Sequence, residues 1–426
     1  MTARRAGTSV SADASTAPLT EGGPELAQKC CAIEGLTQLL SRAPGSFRVV
    51  VHSEPDCANL VVRDAGACDP SRFLCTNLTE ADVIAGRSRA RLAEALAVAA
   101  GSGADTLFVL GGCVAGLAGD DVAEIVRAAR LPPATRVVAI GAGAFRMLGQ
   151  AAILDHFTGA MVEGAPRRRR RTRRSVNLVG FTGDGGETAV LLARAGIAVN
   201  AWPQLDSPAG VWRALPAAAL TVISERRVFG RLAAALETVH GMPVIEVAPP
   251  AGVAGTEAFH RAIASRFGAE RAASRAIRGA RDGAARVLAR FRRRTAGRRL
   301  AYQVGGRKDF ALHTVVREGL TWVGAFAEMG YDVELLFQGA VEDAARRRIA
   351  AVLARYGIDR PFRPHPDRVS LTGALREGGF TEVYCCDSLR GEAGAAGVPV
   401  IPAGSMRPGF AGVHENIFLI RALSAR

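Results

Sequence analysis

A chain of 426 residues is too long to fold around one hydrophobic core, so two or three domains are expected. Its composition, 49% hydrophobic at a mean hydropathy of +0.14, supplies those cores, and the lack of 18 consecutive uncharged apolar residues excludes a transmembrane helix. The net charge of +14 invites a nucleic-acid partner, but the basic runs contain few aromatics that could stack on bases, and none is expected.

Residues 1–24 are small and polar, which predicts a disordered tail without a targeting peptide. Eight irregularly spaced cysteines without a secretory signal point to a reducing compartment and a cytoplasmic protein rather than a disulfide framework.

The first third, residues 25–165, is patterned around three of those cysteines. Cys31 stands in CCAIEGLTQLL, Cys57 follows the apolar run RVVVHS, and Cys113 follows DTLFVL; RVVAIGA is a further predicted strand. Two of the three thiols thus lie just beyond a buried strand, where an open parallel sheet presents its loops to a ligand. Soft thiolates from separate loops suit an iron-sulfur cluster, and the spacing is not the local pair of a zinc ribbon. Taken alone, three scattered cysteines are better read as small buried hydrophobes than as metal ligands.

The Arg-rich stretch 165–176 joins two patterned regions and reads as a solvated linker opening a middle domain, 166–299. VNLVGF, LTVISE and PVIEV are predicted strands there, with helices over 187–195 and 227–239. The segment from Arg271 carries apolar residues at helical intervals and reads as an amphipathic surface helix with a basic face. In the last third, 300–426, LAYQVGG, YDVELLF, EVYCCD and PVIPAG alternate with helical stretches such as 341–356. Alternation of this kind predicts an α/β protein of three Rossmann-like domains, each with a parallel sheet flanked by helices.

Other motifs carry less. GFTGDGGET, 180–188, does not fit GxGxxG and reads as a tight turn at Gly183, Gly185 and Gly186; GxxxxGK[ST] is absent, so no P-loop ATPase is expected. Cys385 and Cys386 end a predicted strand and read as core, on opposite faces; Cys68 and Cys75 lie in a loop-like stretch and are assigned no role. The seven histidines show no zinc or non-haem iron spacing.

In order, Cys31, HSEPDC, TNLTEADVIAGRSRARL, GGCVAGLAGDDVAEI and AIGAGAFRMLGQ resemble the nitrogenase component 1 superfamily, most strongly over about 29–150. The resemblance implies that Cys31, Cys57 and Cys113, with Cys30 a possible substitute for Cys31, hold an iron-sulfur cluster, P-cluster-like or four-iron, shared with a partner subunit. It also implies a homologous alpha-type subunit, a heterotetramer, and a separate ATP-hydrolysing iron protein. Catalytic alpha subunits of this family anchor a large cofactor through a histidine in the C-terminal segment and a cysteine in the middle domain. Here Ala411, not His414, falls at the first position, and ISERRVFGRL, 223–232, has no cysteine. A beta-type subunit is therefore implied. Short for a nitrogenase beta subunit, the chain is read first as part of a methylthio-alkane reductase, then as a scaffold for iron-molybdenum cofactor assembly, then as a tetrapyrrole reductase subunit; a basic nucleic-acid-binding protein is the alternative from another class.

Overall fold

Three parallel sheets, one in each third of the chain, organise the computed structural model, which describes residues 30–31, 33, 40, 46–57, 69–104, 106–132, 135–141, 147–148, 150–163, 165, 171–204, 207, 209–305, 319–338, 343–359 and 362–424. The expected tail, Cys68 and the arginines at 167–170 lie outside the described residues.

In the first third, β1 (Cys30–Cys31) pairs antiparallel with β6 (Met147–Leu148), and a four-stranded sheet holds β2 (Phe47–His52), β3 (Phe73–Cys75), β4 (Thr106–Gly111) and β5 (Arg136–Gly141). The sheet order is β3-β2-β4-β5, all parallel. Val50, Leu107 and Val109 pack on Leu92 and Leu96 of the helix Ser88–Gly101. Val49, Val51, Phe108 and Leu110 pack on Leu154 and Phe157 of the helix Gln150–Glu163. Strands covered on both faces have no polar side, which is why VVV in β2 and LFVL in β4 are unbroken apolar runs. Crossovers leave β2 and β4 in opposite directions, so the gap between these two strands is the topological switch point of the sheet.

The middle sheet runs β10-β9-β7-β8, from β7 (Ser175–Val179), β8 (Ala198–Ala201), β9 (Leu220–Ile223) and β10 (Val244–Glu246). Leu154 and Phe157 share one apolar cluster with Val228 and Leu232 of the helix Arg226–Thr238, and Phe157 meets Trp212 edge to face, so the first and middle thirds are packed together. The last sheet runs β13-β12-β11-β14-β15, from β11 (Arg299–Val304), β12 (Asp332–Gln338), β13 (Arg363–His365), β14 (Glu382–Cys385) and β15 (Val400–Pro402). Its switch point lies between β11 and β14.

The 26-residue helix Glu270–Thr295 buries Ala273, Ile277, Ala284 and Phe291 on one face and exposes Arg271, Arg275, Arg278, Arg286 and Arg290 elsewhere, as its periodicity predicts. Among the described residues, no helix is long and apolar enough to cross a membrane.

Candidate metal centre

Both described candidate ligands come from the switch point of the first sheet. Cys57 ends a short helical turn five residues beyond His52, and Cys113 begins the helix Cys113–Leu117 two residues beyond β4. Their side chains are half-buried, and neither is in a disulfide. The Gly112 N–H donates to the His52 carbonyl at 2.9 Å, so the two chain exits stay side by side past the sheet. A Cβ on Gly112 would lie 2.6 Å from Ser53 Cβ and 3.1 Å from Ile33 Cδ1. Only glycine fits this approach, which is the physical content of the GGC motif.

The Cys57 thiol donates to Glu54 Oε1 at 3.0 Å, and Ser53 Oγ donates to Glu54 Oε2. Burial works to raise the Glu54 pKa, but these two hydrogen bonds, with one from its own backbone, outweigh it and hold the carboxylate below its ordinary range. A cysteine must lose its proton to bind metal, and Glu54 is the acceptor that already faces the Cys57 proton.

Sequence reasoning placed Cys75 in a loop; it is the last residue of β3, opposite Val51. Its thiol donates to the carbonyls of Ser53 (3.4 Å) and Glu54 (3.5 Å) and accepts from Asn77 N–H at 3.4 Å. Burial pushes this thiol up, with the Glu54 charge adding to it. Cys75 is thereby a protonated donor that ties β3 to the Cys57 loop.

A polar cluster lies beneath, its His52, Thr76 and Ser88 buried. His52 Nε2 is 3.0 Å from Asp120 Oδ2, and Ser88 Oγ donates to the same oxygen. His52 Nδ1 is 3.2 Å from Thr76 Oγ1, which accepts from Ser53 N–H at 3.1 Å. Burial depresses the His52 pKa despite the opposing Asp120 carboxylate, so the ring is neutral at pH 7, with its proton on Nε2 facing the acceptor-only Asp120. These residues were missed in the sequence, although a strand reading RVVVHS announces one: a buried strand that ends in histidine needs a partner for it.

Among the described residues, no three His, Cys, Asp or Glu side chains converge closely enough for a single metal ion. Two half-exposed thiols on adjacent loops suit instead a polynuclear iron-sulfur group completed by further ligands. β1 sets the Cys30 and Cys31 backbones opposite Leu148 and Met147; their side chains lie outside the described residues.

The remaining motifs fall elsewhere. Cys385 ends β14 and Cys386 follows it, yet both are buried in one apolar cluster with Leu389 and Val398, because the chain leaves the strand between them and the expected alternation of faces lapses. GFTGDGGET is a tight turn: Gly185 and Gly186 have positive φ, whereas Gly183 does not, and Asp184 accepts from Gly186 and Thr188 N–H groups at 3.1 and 2.8 Å. Arg171 of the basic run is tied to the carbonyls of Gly241 and His240. His414 is exposed on the helix Gly409–Ser424, while the Ala411 N–H donates to the Glu187 carboxylate at 3.1 Å.

Residues 48–356 match the family described as nitrogenase component 1 type oxidoreductase. Similar curated proteins include two nitrogenase iron-molybdenum cofactor biosynthesis proteins NifE from Methanococcus maripaludis, 25% and 24% identical over 277 residues, covering 62% of this chain and 54% of each relative. The chain thus spans about half the length of the curated relatives it matches. Among solved structures, nitrogenase Cp1 at pH 6.5 superposes with a TM-score of 0.69 at 15% identity over 95% of this chain and 90% of that one. Nitrogenase Cp1 at pH 5 gives 0.66 at 16% identity over 95% and 89%. At such identity these two matches speak for the fold.

Proposed function

The chain belongs to the nitrogenase component 1 type oxidoreductase family, and on that premise we propose that it is the cluster-bearing, beta-type subunit of a nitrogenase-like reductase. The observation that carries this reading is the placement of Cys57 and Cys113 at one switch point, locked together through Gly112. Cys31, on the strand next to Met147, is the third proposed ligand, with Cys30 its substitute. An iron-sulfur cluster held there supplies one-electron transfer. The chain's own residues hold the thiols, accept the Cys57 proton at Glu54 and exclude alternative geometries at Gly112.

Ala411 at the anchoring position, its N–H engaged by Glu187, favours a partner subunit as the holder of the active-site cofactor. Electrons would come from an ATP-hydrolysing iron protein, since this sequence has no P-loop. The substrate class we assign is small methylthio compounds, whose carbon-sulfur bond takes up two electrons and two protons to release methanethiol. A second reading, a scaffold for iron-molybdenum cofactor assembly, is favoured by the names of the curated relatives.

One experiment separates them. Given reduced iron protein, ATP and magnesium, the anaerobically isolated complex is expected to release methanethiol over many turnovers, and the Cys113→Ala complex none. A complex that turns over no methylthio compound but restores activity to a cofactor-deficient nitrogenase establishes the scaffold reading instead.

A further inference from the structure

The loop carrying Cys113 and the loop carrying Cys57 are joined by a closed chain of hydrogen bonds and close contacts. Asp120 rides with the Cys113 helix, its N–H donating to the Ala115 carbonyl at 3.0 Å. Its side chain, 4% exposed, reaches across to His52 at 3.0 Å. His52 meets Thr76, Thr76 takes the Ser53 N–H, and the Ser53 hydroxyl donates to Glu54, which receives the Cys57 thiol. The chain is then closed through the backbone, where Gly112 packs on Ser53.

Helix capping does not account for Asp120. Its neighbour Asp121 does that work, accepting from Glu124 N–H at 2.9 Å at the start of the helix Val122–Ala128. A carboxylate removed from water is costly unless it is paired and hydrogen-bonded, and Asp120 is buried against a histidine and a serine from two other segments. Two elements meeting through a fixed, directional bond can slide very little, whereas apolar packing alone would allow either loop to shift. Metal-ligand thiols need placement to within about 0.5 Å.

We propose that His52 and Asp120 are positioning residues that set the distance between the Cys57 and Cys113 thiols for the cluster. This rests on the iron-sulfur reading above, and the test distinguishes failure of one from failure of the other. In the anaerobically isolated complex, iron content, the rate of iron release to a ferrous chelator and the electron paramagnetic resonance spectrum of the reduced state are measured. Circular dichroism of the iron-free protein reports folding.

Asp120→Ala is expected to release iron about 10- to 100-fold faster than wild type with an altered spectrum, in line with the affinity that metal sites lose with their outer partners. Asp120→Asn, whose amide oxygen can still accept from both His52 and Ser88, should recover most of the wild-type behaviour. Wild-type release and spectrum in a folded Asp120→Ala complex overturn the proposal. If Asp120→Ala fails to fold, His52→Gln decides: it keeps a donor for Asp120 but loses Thr76, so faster release supports the proposal and unchanged release overturns it. Wild-type complex without iron overturns the iron-sulfur reading, and the proposal with it.

Discussion

Cysteines stand at the carboxyl ends of strands flanking the switch points of two different sheets, and the two settings have opposite characters. Beyond β2 and β4, Cys57 and Cys113 are half-buried beside the hydrogen-bonded polar groups of His52, Ser53, Thr76 and Asp120. At the end of β14, Cys385 and Cys386 are 1% and 5% exposed, packed with Leu371, Leu389 and Val398. The Cys385 carbonyl is already taken by Ala403 N–H at 2.8 Å. The same topological address therefore produces a ligand site in one sheet and core in the other. What decides is whether the loop beyond the strand is held open by hydrogen-bonded polar groups or collapsed onto apolar side chains.

The largest expected effect tests that division directly. Cys113→Ala should remove the iron and acid-labile sulfide of the anaerobically isolated complex, whereas Cys385→Ala should leave both at wild-type levels. Iron analysis of the two variants side by side breaks the comparison if they lose iron equally, or if neither loses any.

Next comes the close approach that holds the first site together. Gly112→Ala places a methyl group against Ser53 and Ile33, and although the Ser53 hydroxyl and the Ile33 end can turn away, the contact of 2.6 Å with Ser53 Cβ cannot be relieved by rotation. Overpacking of this kind costs about 1–3 kcal/mol. A melting curve of the iron-free variant should show that loss, and iron content should fall as the Cys57 and Cys113 loops are forced apart. Wild-type stability and iron together would mean that the two loops are not coupled through this glycine.

How much of this was legible in the sequence follows from what each signal depends on. Strands buried on both faces declared themselves, because VVV and LFVL have no polar side to conceal them; β2, β4, β7, β9, β11, β12 and β14 lie where the apolar runs predict. Among the short strands, a Pro-Val-Ile run marks β10 and β15, whereas β3, β8 and β13 carry no such run and are only partly buried, and with β3 went the position of Cys75. Cys57 and Cys113 were readable as loop thiols after strands. The network under them was not, since His52, Thr76, Ser88 and Asp120 are distant in the chain and only the parallel register brings them together. The shared burial of Cys385 and Cys386 was hidden for a related reason: alternation holds only while the chain remains a strand.

The smallest effect concerns the buried member of the comparison. Burial pushes the Cys385 thiol up to about 12 from an ordinary value of 9.0. Its folded pKa thus lies above the unfolded one, so the fold favours the protonated thiol. That contribution is complete below about pH 9 and is lost as pH rises from 9 to 12. Cys385→Ala should cost about 1 kcal/mol at neutral pH through lost packing. Because alanine cannot ionise, the deficit should shrink as pH approaches 11, even though buried Tyr302 and Tyr331, whose pKa values burial also raises, destabilise both proteins alike there. Denaturant titrations at pH 7, 9 and 11 measure this, and a deficit that grows with pH would contradict the sign. Alkylation of the iron-free chain at pH 8 gives the kinetic counterpart, since only a thiolate attacks. Cys57 and Cys113 should be modified in the native protein and Cys385 only after unfolding; native modification of Cys385 at a similar rate would erase the distinction between the two sheet edges.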